Sequence, residues 1–164
     1  MLKKLIKLFF KLRDERKSRF NRVLPFGDYI SDRWEKANYL GFGKGTSVYD
    51  NVVIIGDVRV GNNTWIGPNV VLDGSGGLEI GSNCSISAGV QIYSHDSVNW
   101  AVSGGIEKYE YGKTVIEDNC YIGPNVVIRQ GLRIGQSTIV GANSFVNRSW
   151  PQKSKIAGNP ARLV

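Results

Sequence analysis

Aliphatic residues return at every sixth position through most of this chain. Val48, Ile54, Val60, Ile66 and Leu72 form one run, Ile80, Ile86 and Ile92 a second, and Ile116, Ile122, Ile128, Ile134, Val140 and Val146 a third. Glycine often follows at once, as in Ile66-Gly67 and Ile122-Gly123. Four residues after the aliphatic, the side chain is usually small or β-branched: Val52, Thr64, Val70, Cys84, Cys120, Thr138. A period of six matches neither the helical 3.6 nor the strand alternation of 2. It predicts a turn that repeats. A short strand points one aliphatic inward, and Gly, Asn or Asp then lets the backbone turn with positive φ. Three such hexads close a triangular coil, and coils stack about 4.8 Å apart through backbone hydrogen bonds. The expected fold is an all-β solenoid, a parallel β-helix of hexapeptide repeats. Separate strands of a sandwich would not keep one frame through all of Ile116 to Val146.

The frame breaks twice, between Leu72 and Ile80 and between Ile92 and Ile116. The second break predicts a loop over about 97–115 that leaves the solenoid, and loops on rigid scaffolds tend to carry function. The only histidine, His95, stands at the start of that break. The hexad frame places it in a column with Ser75 and Gly131. Two small neighbours would leave room for a ligand beside the imidazole. Its position outside the inward aliphatics means that core packing does not account for it.

Before the repeats, residues 1–22 show a different pattern. Leu2, Leu5, Ile6, Phe9 and Leu12 fall on one helical stripe among lysines, which predicts an amphipathic helical arm. Residues 23–45, with Pro25, Gly27, Gly41, Gly43 and Gly45, are expected to be a linker. The solenoid domain is then 46–164, with a C-terminal tail over 151–164. The arm holds nine Lys and Arg against Asp14 and Glu15, so the whole formal charge of +7 lies there and the rest balances. A neutral solenoid argues against nucleic acid as a partner. The basic arm suits either an anionic membrane surface or a cover for the end of the solenoid. The 164 residues make one domain with an appendage. Cys84 and Cys120 make no disulfide framework, no secretory leader is evident, and no apolar run approaches a membrane span, so a cytoplasmic protein is expected, with peripheral membrane contact through the arm as an option.

The stretches "NTWIGPNVVLDGSG", "IGSNCSISAGVQIYSHD" and "CYIGPNVVIRQGLRIGQSTIVGANSFV", with the ending "IAGNPARLV", resemble the hexapeptide-repeat acetyltransferases. The closest resemblance is to the branch that O-acetylates sugars and polysaccharides. It covers about three quarters of the chain. It implies a left-handed helix, a homotrimer with sites between subunits, acetyl-CoA as acyl donor, and a sugar or polysaccharide hydroxyl as acceptor. It implies no metal. By motif match His95 would be the general base, an assignment that suits an imidazole titrating near neutrality. Asp96 or Asp73 would orient it. Ala142 would contact the pantetheine, with Arg148 and Arg162 near the CoA phosphates. Tyr121 stands where many relatives carry tryptophan beside the acceptor. Trp100 and Tyr109 in the loop would stack on a sugar ring or pack the loop.

Two other functions share this fold. One is N-acetylation of a nucleotide-linked amino sugar, which no motif here separates from O-acetylation. The other is a non-catalytic binding module, which needs neither the histidine nor the ending. A zinc hydratase needs three histidine ligands, and this chain has one.

Overall fold

The computed structural model describes all 164 residues. Residues 46–157 wind into a parallel β-solenoid of about six turns with three flat faces. Face 1 carries Ser47–Val48, Trp65–Ile66, Ser85–Ile86, Tyr121–Ile122, Ile139–Val140 and Lys155–Ala157. Face 2 stacks Ile54, Leu72, Ile92, Ile128 and Val146, and face 3 stacks Val60, Ile80, Ile116 and Ile134. Apart from the partly buried Ile54, these inward aliphatics of faces 2 and 3 are at most 7% exposed. Truncating one, such as Ile92 to alanine, would cost about 2–5 kcal/mol.

The corners follow from the residue three places after the inward aliphatic. Asn63, Asn69, Asn83, Asn119, Asn125 and Asn143 all adopt positive φ between 53° and 61°. Asparagine tolerates that left-handed conformation better than most residues. Asn51 and Asn69 bond side chain to side chain across successive coils at 2.7 Å. Between faces 2 and 3 glycine takes over, at Gly56, Gly77 and Gly131.

The segment expected as a linker is partly helical. Helix α1 spans Leu2–Phe20, α2 Gly27–Ile30 and α3 Arg33–Tyr39. The Asp32 carboxylate accepts from the amides of Trp34 and Glu35 at 2.9 and 3.0 Å, which starts α3. Ala37 of α3 and the following Phe42 are buried in the solenoid core. They close its first coil, whereas α1 buries no residue. No helix is long and apolar enough to cross a membrane. At the other end the tail does not trail away. Lys155–Ala157 joins face 1 beside Ile139–Val140, and Arg162–Leu163 folds back antiparallel on it after a cis Asn159-Pro160 bond.

The second break loops out of the solenoid. Gln91 pairs directly with Val127, and Glu79 with Val115, so the coils continue as if the loop were absent. His95–Asp96 runs antiparallel to Glu110–Tyr111, and helix α4, Val98–Val102, crosses the tip.

Candidate active site

The site grows from the corner between faces 2 and 3. In the coil of Ile54 that corner passes through Gly56 and Asp57. In the next coil two further residues are inserted, so the ladder shifts register from Gly56 opposite Gly74 to Val58 opposite Leu78. The widened corner, Asp73-Gly74-Ser75-Gly76-Gly77, is covered by the chain that leaves for the loop. A Cβ at Gly76 would lie 2.3 Å from the Ser94 carbonyl oxygen, so glycine is what permits that cover. The Gly76 amide donates to Ser94 Oγ at 2.8 Å.

Asp73 is thereby buried, at 1% exposure. Its Oδ1 accepts from the Ser75 amide at 3.0 Å and from Ser75 Oγ at 2.5 Å. Its Oδ2 accepts from the Ser94 amide at 3.1 Å and lies 2.5 Å from His95 Nδ1. Burial opposes the charge on this carboxylate. The hydroxyl and amide of Ser75, the amide of Ser94 and the imidazole outweigh it and lower its pKa to about 2. Asp73 is therefore ionised at neutral pH, and Nδ1 of a neutral His95 carries the proton toward it. Nε2, the other ring nitrogen, has no partner within the chain and keeps its lone pair. The His95 side chain is 30% exposed.

His95 does not sit in the column expected for it. Gly112, at the end of the loop, takes that place: its amide donates to the Ser94 carbonyl, and the Gly131 amide donates to the Gly112 carbonyl. The imidazole stands outside, with the rings of Tyr109 and Tyr111 each 6.2 Å away. Its neighbours are aromatic rather than small. The open space is to the side, in a cleft of about 490 Å³ between the loop and face 2, lined by His95, Tyr93, Val127, Arg129, Phe145 and Asn147 among others.

The two aspartates have separate work. Asp96 accepts from the Val98 amide at 2.6 Å, at the start of α4, and from Gln130 Nε2 at 3.3 Å. It fixes the loop and has no bond to the imidazole, which Asp73 holds. Trp100 packs edge-on against Tyr109 at 5.4 Å, so it supports the ring beside His95 and does not line the cleft. Tyr121 projects from face 1, away from the cleft within this chain. Ala142 lies exposed at the corner between faces 1 and 2. Arg148 and Arg162 do meet: they line one cleft of about 460 Å³, and Asn147 borders both it and the His95 cleft. Arg148 also lies over the Trp150 ring at 4.2 Å. Nothing in the residue pattern selected Ser75 and Ser94 as donors to Asp73, although the two-residue insertion marked their neighbourhood. Asn147 carried no signal.

Two family models match the chain, a bacterial transferase hexapeptide of six repeats over residues 113–148 and the hexapeptide repeat of succinyl-transferase over 57–94. The YvoF protein of Bacillus subtilis is 30% identical over 87 residues, 53% of this chain and 46% of YvoF. A 2,3,4,5-tetrahydropyridine-2,6-dicarboxylate N-acetyltransferase of Staphylococcus aureus is 34% identical over 70 residues, 43% of this chain and 29% of that enzyme. The match thus spans half or less of these curated relatives. Among solved structures, a hexapeptide-repeat acetyltransferase of Vibrio cholerae complexed with acetyl coenzyme A superposes with a TM-score of 0.71 at 30% identity, covering 97% of this chain and 87% of that one. AntD of Bacillus cereus, an N-acyltransferase complexed with dTDP and 3-hydroxybutyryl-CoA, shares the fold at a TM-score of 0.68 and 22% identity, over 75% of this chain and 70% of its own. Repeat, solenoid and near full-length match agree: this chain belongs to the hexapeptide-repeat acetyltransferase family.

Proposed function

We propose that the protein is an acetyl-CoA-dependent O-acetyltransferase acting on a sugar or polysaccharide hydroxyl, with His95 as general base. The observation that carries this reading is the buried Asp73 carboxylate on Nδ1, which leaves Nε2 free at an open cleft. A hydroxyl is a weak nucleophile until its proton is shared. Nε2 takes that proton as the acceptor oxygen bonds to the thioester carbonyl carbon. The carbon–sulfur bond then breaks, and the imidazolium returns the proton to the departing thiolate. Asp73 keeps the ring in the required tautomer and stabilises it while charged. No covalent enzyme intermediate is needed.

Acetyl-CoA is the donor bound by the Vibrio cholerae relative. Its fit here rests on the two adjoining clefts. The thioester would lie near His95, and the phosphates near Arg148 and Arg162, with Asn147 between. The working form in this reading is a homotrimer. Face 2 has apolar outer side chains beside the cleft, and a second subunit on them would supply the missing wall.

An amine acceptor is the second reading, favoured by the N-acetyltransferase of Staphylococcus aureus among the relatives. One experiment separates the two. Thiol release from acetyl-CoA is followed with a panel of neutral sugars, polysaccharide fragments and nucleotide-linked amino sugars, and the product bond is read by mass spectrometry and base lability. An ester on a sugar supports the proposal. Turnover confined to amino sugars replaces it with N-acetylation. No turnover with any acceptor, alongside acetyl-CoA binding, removes it.

A further inference from the structure

Helix α1 meets the rest of the protein mainly at α2. Phe9 meets Phe26 and Tyr29 at ring distances of 5.8 and 5.7 Å. Beyond it Leu2, Leu5, Ile6, Leu8 and Phe10 are all between 43% and 68% exposed. Twelve of the 24 exposed large apolar side chains of the chain lie within residues 1–39. The solenoid end does not need them, because Ala37 and Phe42 already close it.

Residues 1–22 of this segment hold all of the net charge. Only Lys11 and Arg13 of the arm have a carboxylate within ion-pair distance, at 3.8 and 2.7 Å. At the base of α1 a cleft of about 630 Å³ opens toward the first coils, walled by Phe20, Trp34 and Tyr49. Arg16, Arg22 and Arg33 line it, and none of them has an ion-pair partner. The Arg33 guanidinium lies over Trp34 and Tyr49, at 5.1 and 4.5 Å. Asp28 and Asp32 share the wall; Asp32 is occupied by the amides that begin α3, and Asp28 is buried, one oxygen accepting from the Asp50 amide and the other without a partner.

An exposed apolar stripe with lysines at its margins, continuing into an arginine-lined cleft, matches a surface that is apolar inside and phosphate-bearing at its boundary. A second copy of the arm would bring two strongly cationic segments together and is disfavoured by that repulsion. We propose that α1 and the arginine cleft at its base dock the protein on an anionic lipid bilayer, the helix lying in the interface and Arg16, Arg22 and Arg33 receiving lipid phosphates. The site is distant in chain and face from His95, and its role does not depend on which acceptor is acetylated.

The test is co-sedimentation of the full-length protein with vesicles of phosphatidylcholine, with or without about one third phosphatidylglycerol. Binding is expected only with the anionic lipid. It should weaken at least tenfold in high salt, since the attraction is screened within about 8 Å at physiological ionic strength. Leu5→Glu with Ile6→Glu, and separately Arg16→Gln with Arg22→Gln, should each weaken it about tenfold or more, with circular dichroism and thiol release on a soluble acceptor unchanged. Equal binding to neutral vesicles, or none to either, overturns the proposal. So does full competition by millimolar glycerol phosphate, which would make the cleft a site for a soluble phosphate. A change of sedimenting mass in Leu5→Glu without loss of vesicle binding would assign the stripe to another subunit and also overturn it.

Discussion

Val53, Val71, Val127 and Phe145, with Gln91 among them, stand on the outer surface of face 2, while Arg59, Glu79 and Arg133, with Val115 among them, stand on the outer surface of face 3. Inside, each face contributes its own column of aliphatics. Outside, face 3 is laced by ion pairs, Arg59 with Asp57 at 3.0 Å, Lys113 with Glu79 at 2.7 Å and Arg133 with Glu117 at 2.5 Å. Face 2 has no such pair. Its Val53 and Ile55 are 49% and 47% exposed, and its Val127 and Phe145 run into the His95 cleft. The hexapeptide frame fixes only the inward residue. The outward residue is free to vary, and there the solenoid separates a charged wall from a largely apolar one.

That contrast can be broken where its effect is largest, at the corner of face 2. His95→Ala should lower acetyl transfer by roughly 10²–10⁴-fold, the usual weight of a positioned general base. Acetyl-CoA affinity should stay within a few-fold, as read by calorimetry, since the imidazole meets the acceptor. Asp73→Asn comes next. It should cost on the order of 10²-fold in kcat, because an amide no longer enforces the tautomer with Nε2 free, while Asp96→Asn should cost less than Asp73→Asn.

Asp73 also makes an acid-stability prediction. Its folded pKa of about 2 lies below the ordinary carboxylate value. The unfolded state thus binds the proton more readily, and the stabilisation is present above about pH 4 and lost as pH falls through 4 toward 2. The stabilisation removed is about 2 kcal/mol. The parent's denaturant midpoint should fall across this window, and that of Asp73→Asn should fall less.

Face 2 as an assembly surface is tested by Val53→Glu. A carboxylate in an apolar contact should weaken self-association by about tenfold or more, seen as a smaller sedimenting mass and a lower transfer rate with the fold intact. The smallest effect belongs to face 3. Arg133→Gln breaks a surface ion pair and should change stability by less than about 1 kcal/mol and transfer not at all. An equal effect from Val53→Glu and Arg133→Gln would erase the distinction between the faces.

Much of this was legible in the sequence because a solenoid is nearly one-dimensional. Val48 and Ile66, and again Ile122 and Val140, stand one coil of 18 residues apart, so spacing within each unbroken run identified the interior. The break at Ile92 likewise announced the loop. The contacts of His95 were less legible, because a loop that leaves the coil hands its place in the column to whichever residue returns, here Gly112. Asp73 and His95 are 22 positions apart and meet only because the two inserted residues widen a corner. Helix α3 was hidden by the glycines around it, although Asp32 with Glu35 three places later carried the signature of a helix start. Tyr121 and Trp100 had the right composition for a sugar contact, but sequence does not say which face or which neighbour a side chain meets.

The central claim is that the free nitrogen of His95 accepts the acceptor proton. Its most direct test is kcat/KM for acetyl transfer measured against pH in the parent and in His95→Ala, with one acceptor at fixed ionic strength. The parent rate should rise with pH along a single-proton limb, and the variant should show a much lower rate without that limb. A variant that keeps the parent's limb, or most of its rate, would contradict it.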